Sequence, residues 1–256
     1  MVFKGYKLLA TFYGLVCHGI FLIAGAVMFS TILTGFQFSV GALEGLSAVA
    51  INFLLLIQFP IGHSFFLSKR GMRVLEIFAP KSYAKTLRTT IYATIASMQL
   101  ILLFSLWNFS GVFVWQIEMP ANLIMILLNL ASWALLSISS IQAGYKVQTG
   151  SLGWTSVYLG KEPVFPDMPT RGMFSIIRQP IYLSFSLVLW TSPVMSLDLF
   201  VVALSYSIYC YFGPMLKEKR FQKIYGKRFS EYQQTVPYYM PSIFRRIGQN
   251  TSRSKQ

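Results

Sequence analysis

The sequence predicts an all-α, polytopic integral membrane protein with five to six transmembrane helices, the last two of which form a short helical hairpin. Of its 256 residues, 54% are hydrophobic and only 12% are charged, whereas a soluble domain carries roughly a quarter charged residues. Several apolar stretches approach the ~20 residues that a helix needs to cross the hydrocarbon core of a bilayer. The basic residues are confined to alternate connecting segments, a pattern typical of membrane proteins with a fixed orientation.

Six apolar stretches are expected to form helices in the membrane. They cover residues 8–36, 46–67, 89–109, 121–144, 180–193 and 197–212. Pro60 and Gly62 should break the second stretch, because proline removes a helix hydrogen bond and clashes with the preceding turn. Pro180 begins the short fifth stretch and suits the first turn of a helix. The last stretch can continue as a helix beyond the membrane to Tyr225, with a kink at Pro214.

The distribution of charge predicts the orientation in the membrane. All 22 Lys and Arg residues lie at the N-terminus, in residues 69–88 and 145–178, and in the C-terminal part, whereas the opposite loops contain Glu44, Glu118 and Asp198. Loops rich in Lys and Arg stay in the cytoplasm, so both termini are expected there. The net charge of +14 then reflects orientation and contact with anionic membrane lipid rather than binding to nucleic acid. No obligate protein partner is evident.

The chain divides into three predicted regions. Residues 1–144 hold the first four membrane helices, and residues 145–244 hold a cytoplasmic loop, the helical hairpin and a C-terminal segment. Residues 245–256 form a basic tail that we expect to be disordered. Glycine and proline interrupt the loop at residues 145–178, so little regular structure is expected through most of it.

The cysteines and histidines do not form a pattern that would bind a metal. Cys17 and Cys210 lie in separate apolar stretches and are expected to be small buried side chains. The two histidines are His18 and His63; we expect a structural role for the first. His63 lies near the cytoplasmic end of the second stretch, where an ionisable side chain is a candidate for function. The alternative is a neutral histidine that donates to a carbonyl of a neighbouring helix.

The densest polar chemistry beside a membrane helix lies within residues 170–241. The sequence RQPIY at residues 178–182 opens the fifth stretch, and Lys217-Glu218 begins the basic segment that follows the sixth. Both pieces lie on the predicted cytoplasmic side, so they can meet and form a pocket for a charged metabolite. The alternative is that these charges only anchor helix ends among lipid headgroups.

These motifs resemble those of the integral-membrane methyltransferases related to isoprenylcysteine carboxyl methyltransferase. In that family an Arg-His-Pro-x-Tyr motif opens a helical hairpin, and paired glutamates, Phe-Gly-x-x-Tyr-x-x-Tyr and Val-Pro close it. The counterparts here are RQPIY at 178–182, Lys217-Glu218, YGKRFSEY at 225–232 and Val-Pro at 236–237.

A second group of motifs is similar to the bacterial methanethiol S-methyltransferases, which lie near the NnrU-like proteins. The motifs are GHS at 62–64, FAP at 78–80 within the basic segment, LFSLW at 103–107 and LGKEP at 159–163. The resemblance covers about residues 56–244. It makes a bacterial inner membrane the expected location.

The resemblance implies methyl transfer from S-adenosylmethionine to a small thiol, with methanethiol giving dimethyl sulfide. In the family the cofactor occupies a cytoplasmic pocket under the C-terminal segment. Carried over by position, the residues that would bind it are Arg178, Gln179, Pro180, Tyr182 and Glu218.

The reaction needs a thiolate that is aligned with the methyl group. His63 and Arg178 are the candidate catalytic residues. His63 could deprotonate or position the thiol, and Arg178 or Lys217 could lower its pKa by their charge. No dedicated metal is required.

Two positions depart from the family pattern. Gln179 stands in place of the histidine and cannot titrate. Lys217 stands in place of the first glutamate and reverses the charge where a carboxylate would complement the ammonium or sulfonium of the ligand. These changes are compatible with altered substrate choice or with lost activity.

The alternative functions are methylation of a lipid-borne group and a non-catalytic, NnrU-like or degenerate membrane protein.

Overall fold

A computed structural model of the chain describes residues 5–240, and almost all of its regular structure is helical. The helices are α1 (Gly5–Thr34), α2 (Gly45–Phe66), α3 (Lys69–Leu75), α4 (Ala84–Leu106), α5 (Ala121–Gln142), α6 (Tyr145–Gln148), α7 (Ser151–Leu159), α8 (Pro180–Trp190), α9 (Leu197–Tyr225) and α10 (Lys227–Thr235). Two strands, β1 (Phe113–Gln116) and β2 (Val194–Ser196), pair antiparallel. The predicted all-α, polytopic membrane class is confirmed. The predicted disordered tail, residues 245–256, lies outside the described residues.

Five helices, namely α1, α2, α4, α5 and α9, are long and apolar enough to cross a membrane, and α8 is a shorter apolar helix. This confirms the expected five to six membrane helices. α2 illustrates the membrane environment, because its sequence is almost wholly apolar and yet none of its residues is buried against the protein. Such a surface suits contact with lipid.

The two arms of the α8–α9 hairpin differ in length, because α8 has only 11 residues whereas α9 has 29. At 1.5 Å per residue α8 rises about 16 Å, roughly half of a hydrocarbon core. The extended residues that follow, including β2, make up part of the difference in length between the two arms. β2 pairs with β1, which lies beyond the end of α4, and α9 then returns to bring Glu218 to Gln179 at the start of α8.

A buried aspartate fixes the start of α9 to the end of α4. Ser196 caps α9 by accepting a hydrogen bond from the backbone N–H of Leu199. Asp198, which is 6% exposed, accepts from Trp107 Nε1 at 2.8 Å and from Ser110 Oγ at 2.6 Å. This anchor sets the position of α9 and therefore of the residues at its other end.

The hydrophobic core lies between α1, α4, α8 and α9. Its largest fully buried members include Ile32, Phe36, Phe104, Leu189, Leu199 and Tyr206. These helices therefore support the polar residues that lie at the start of α8 and the end of α9.

The predicted break in the second membrane helix is wrong, because α2 continues through Pro60 and Gly62. Proline lacks an N–H and leaves the carbonyl of Leu56 without its helical partner. The hydroxyl of Tyr206 on α9 donates to that carbonyl at 3.3 Å. A neighbouring helix thus supplies the missing donor, which allows proline inside a membrane helix. α9 also continues as one helix through Pro214.

The expected lack of regular structure in residues 145–178 is wrong for the first part, where α6 and α7 form. α7 packs against α1 and α4. Gly153 permits this approach, because a Cβ atom there would lie 2.6 Å from Thr90 Oγ1. Trp154 then donates its indole N–H to His18 at 3.2 Å, so His18 has the structural role that we expected.

Candidate active site

The sequence-predicted site residues of the hairpin meet where α8 begins and where α9 and α10 end. Pro180 is the first residue of α8 and Gln179 precedes it. α9 extends far enough to bring Lys217 and Glu218 beside Gln179. Gly226, at φ +52°, separates α9 from α10, and α10 folds back over the start of α8.

A buried carboxylate organises this region. Glu218 Oε1 accepts from Arg178 Nε at 2.9 Å and from Gln179 Nε2 at 2.7 Å, and Oε2 accepts from Gln233 Nε2 at 2.9 Å. The side chains of Arg178 and Glu218 are only 12% and 11% exposed. Charge-assisted hydrogen bonds of this kind are short and strong when they are shielded from water.

Arg178 also fastens the C-terminal segment over the hairpin. Its Nη1 donates to the carbonyl oxygens of Gln233 and Val236, at 3.1 and 2.7 Å. Its backbone N–H donates to Pro237 O at 2.9 Å, and its guanidinium lies over the ring of Tyr238. Most of the donors of Arg178 are therefore engaged within the chain. Arg178 acts as a clamp, in the sense that it holds the C-terminal segment against the hairpin.

The two positions that depart from the family pattern contact each other. Gln179 is 1% exposed, and its amide oxygen accepts from Lys217 Nζ at 2.7 Å. The Lys217 ammonium also lies over the rings of Tyr182 and Phe221, 5.3 and 5.8 Å from their centres. An amide offers both a donor and an acceptor, so Gln179 can bond the carboxylate of Glu218 and the cation of Lys217 at once.

A small pocket, here called the network pocket, opens beside these residues. It is lined by Pro169, Phe174, Arg178, Gln179, Lys217, Glu218, Phe221, Phe229 and Tyr232, and its volume is about 10 Å³. That volume is about the space of one water molecule. The pocket therefore combines charged groups, an amide and four aromatic rings in a narrow space.

Two phenols fasten chain segments at this site: Tyr232 lines the network pocket, and the Arg178 guanidinium lies over the ring of Tyr238. Tyr232 donates to Phe174 O and Tyr238 donates to Tyr211 O, each at 2.6 Å. Burial raises the pKa of both hydroxyls to about 12, so both remain neutral donors at physiological pH.

An exposed ion pair joins the loop before α8 to α10. Arg228 binds the carboxylate of Asp167 through both of its terminal nitrogens, at 2.9 and 2.6 Å. The hydrogen bond from Arg228 lowers the pKa of the Asp167 carboxyl, so this carboxylate stays charged at neutral pH. Because the pair is open to solvent, we expect it to contribute little to stability.

A second pocket, here called the His63 pocket, lies between α2, α8 and α9. It is lined by His63, Ser64, Leu67, Tyr182, Tyr209, Gly213, Leu216 and Arg220, and its volume is about 20 Å³. His63 Nε2 and Tyr92 Oη lie 2.7 Å apart, and Ser64 Oγ and Tyr209 Oη lie 3.3 Å apart. Tyr182 separates this pocket from Lys217.

The structure thus divides the sequence-predicted site residues into two groups. Arg178, Gln179 and Glu218 line the network pocket, whereas His63 and Tyr182 line the other pocket. Pro180 starts α8 and lines neither of the two pockets.

Sequence reasoning missed a further set of lining and network residues, namely Phe174, Tyr209, Arg220, Phe221, Phe229, Tyr232 and Gln233. For Tyr209 and Arg220 a signal existed: with Gly213 and Leu216 they recur at helical spacing on one face of α9.

Together, the fold and the site define a polytopic helical membrane protein with two adjoining polar pockets at one end of its helices. The chain is similar to curated methanethiol S-methyltransferases. It is 27% identical to methanethiol S-methyltransferase 1 of Bradyrhizobium diazoefficiens, over 92% of this chain and 83% of that protein. It is 26% identical to the Pseudomonas deceptionensis enzyme (78% and 76%) and 24% identical to the Mycobacterium tuberculosis enzyme (76% and 78%).

These similarities confirm the resemblance predicted from the motifs and the predicted enzyme class, a methyltransferase. No family model matches the chain. No solved structure matches it either.

Proposed function

We propose that the protein transfers a methyl group from S-adenosylmethionine to a small thiol, with methanethiol giving dimethyl sulfide. The observation that carries the proposal is the similarity, over 92% of the chain, to a protein named methanethiol S-methyltransferase. The position of the buried Glu218 network supports it, because the network assembles from both ends of the hairpin motif.

The residues of the network pocket suit S-adenosylmethionine in chemical type. Phe174, Phe229 and Tyr232 offer aromatic faces to a purine, and the Glu218 carboxylate complements a cationic ligand. The ammonium group of Lys217 already lies over the rings of Tyr182 and Phe221, which supports a site for a cation at this corner. A pocket of about 10 Å³ must widen to admit the cofactor. We propose that it widens when the side chain of Lys217 moves away.

When bound, S-adenosylmethionine supplies a methyl carbon activated by its sulfonium, which a thiolate attacks in line. The role that we propose for Arg178 and Gln179 is to hold Glu218 charged and oriented beside the cofactor. Arg178 also keeps α10 and the segment after it over the pocket, which excludes water. Tyr182, on the boundary between the two pockets, would lie beside the reacting atoms.

A second candidate function is a non-catalytic, NnrU-like membrane protein. The observation that favours it is the position of Lys217, whose ammonium fills the corner that a ligand cation would take. In that case the internal cation replaces the ligand, and the network only fastens the C-terminal segment to the hairpin.

The deciding experiment measures S-adenosylmethionine binding to the protein in nanodiscs, beside a Gln179→His, Lys217→Glu double variant. We expect the native protein to bind, and methanethiol added with the cofactor to be converted to dimethyl sulfide, detected by gas chromatography. Binding only by the double variant would favour the non-catalytic function. If neither folded protein binds, the methyltransferase proposal is wrong.

We also propose that both termini lie in the cytoplasm of a bacterium and that the pockets open to that side. The basic residues of α3, the start of α4 and the end of α9 support this orientation. A reporter enzyme that is active only outside the cytoplasm should be inactive when it is fused after Arg246 and active when it is fused after Gly111. A periplasmic signal from the Arg246 fusion would contradict the orientation.

A further inference from the structure

We propose that the His63 pocket binds the methyl acceptor as a thiolate and that Arg220 holds the negative charge of its sulfur. This inference deepens the proposed function and rests on it. The network pocket would hold the methyl donor, and the His63 pocket, on the other side of Tyr182, would hold the acceptor.

Arg220 is available for an anion in a way that Arg178 is not. Within residues 5–240, Arg220 forms no ion pair with a carboxylate. Its hydrogen bond is a long one, 3.5 Å from Nη1 to Leu67 O. A guanidinium carries five N–H donors, so Arg220 retains donors for a ligand. A thiolate is stabilised by a neighbouring arginine, and a thiolate is the form of the acceptor that reacts.

His63 provides a place for the thiol proton. Its Nε2 is 2.7 Å from Tyr92 Oη, and its Nδ1 has no hydrogen-bond partner in the described part of the chain. With the proton on Nε2 and donated to Tyr92, Nδ1 is an acceptor. The S–H proton then passes to His63, and the sulfur keeps its electron pair.

The methyl group would be transferred at the boundary between the two pockets. The thiolate sulfur forms a bond to the methyl carbon, the bond from that carbon to the sulfonium sulfur breaks, and its electron pair stays on the donor sulfur. The products are two neutral thioethers and one proton, which His63 holds. Lys217 lies over the ring of Tyr182, 5.3 Å from its centre, so both side chains would move to bring the acceptor sulfur into line with the methyl carbon.

The size of the His63 pocket indicates a compact acceptor. Its volume of about 20 Å³ exceeds the space of one water, and without widening it leaves no room for a prenyl or acyl chain. Gly213 preserves this space, because a Cβ atom there would lie 3.2 Å from Tyr209 Cε2. The pocket therefore suits a thiol of very few heavy atoms.

The first test removes the positive charge of Arg220. In nanodiscs, Arg220→Met should lower kcat/KM for methanethiol about thirtyfold, which is the effect of losing one charged hydrogen bond. The dissociation constant of S-adenosylmethionine should stay within about twofold of the native value, because Arg220 does not line the network pocket. Arg220→Lys should retain part of the activity, since it keeps the charge. Lys219→Met, an exposed neighbour on α9, is the matched control and should behave as the native protein does.

Native activity in Arg220→Met would overturn the inference, and so would an equal loss of cofactor binding. A measurement of methanethiol binding in the absence of the cofactor, made by saturation-transfer NMR, separates this inference from the proposed function. If the native protein binds methanethiol through Arg220 but never methylates it, the thiol site stands and the methyltransferase function falls. If Arg220→Met binds methanethiol as well as the native protein does, the acceptor site is wrong.

The second test changes the size of the pocket. Leu216 lines it and is 52% exposed, so Leu216→Ala should fold normally. Its ratio of kcat/KM for ethanethiol over methanethiol should rise about tenfold, which is within the range that one methylene contributes in an apolar pocket. An unchanged ratio would place the acceptor elsewhere.

Discussion

Glu218→Ala is expected to abolish S-adenosylmethionine binding and to lower the free energy of unfolding by about 3 kcal/mol. Removing one partner of a buried ion pair leaves the other charge unpaired, which costs roughly 3–5 kcal/mol. Arg178 would be that unpaired charge, and Gln179 and Gln233 would each lose an acceptor. Equilibrium unfolding in mixed micelles and calorimetric titration of the cofactor would measure the two effects.

Glu231→Ala is the matched control, because Glu231 is an exposed carboxylate whose ion pair with Lys227 measures 3.9 Å. Its stability should change by less than about 0.5 kcal/mol. Glu218→Gln keeps one oxygen acceptor, so its stability should lie between that of the native protein and that of Glu218→Ala. If Glu218→Ala were as stable as the native protein, the network would not hold the hairpin and the C-terminal segment together.

Lys217→Met is expected to bind S-adenosylmethionine about tenfold more tightly than the native protein. Two like charges about 5 Å apart repel by roughly 3 kcal/mol at an effective dielectric constant of about 20, and part of this gain is offset by the lost bond to Gln179. The ammonium of Lys217 lies over Tyr182 and Phe221, the rings that would otherwise face the ligand cation. Calorimetric titration at two ionic strengths would measure the change.

The control for this experiment is Lys223→Met, which removes an exposed charge near the end of the same helix. It should leave the dissociation constant within about twofold, because exposed charges are screened by salt. Weaker binding by Lys217→Met would contradict the prediction, and it would assign Lys217 to the carboxylate of the cofactor.

Much of the fold could be predicted from local sequence. The membrane helices follow from apolar composition, which α1, α4 and α5 carry almost without interruption. The break assigned to Pro60 failed because the hydroxyl that satisfies Leu56 belongs to Tyr206, 150 positions further along the chain. α7 was missed for a related reason, since Gly153 acts as a close-packing residue against α4 rather than as a breaker.

The candidate site was predicted in part. Arg178, Gln179 and Glu218 do come together, because the hairpin returns to its own starting level. His63 lines a pocket, but not the same pocket as Arg178, and its catalytic role stays a prediction. Arg220 belongs to none of the motifs, although its helical spacing with Tyr209 was a signal, and the carbonyl that it contacts belongs to Leu67 at the end of α2.

The sequence by itself determined the membrane class, the five to six membrane helices, the asymmetry of charge and the motifs that indicate a methyltransferase. Each of these is a property of composition or of residues close together in the chain. Only the tertiary structure decided that Gln179 joins Glu218 to Lys217, that Arg178 is a clamp, and that Arg220 lies beside His63. The physical reason is that buried polar groups must find hydrogen-bond partners, and here those partners come from distant helices whose packing no local pattern specifies.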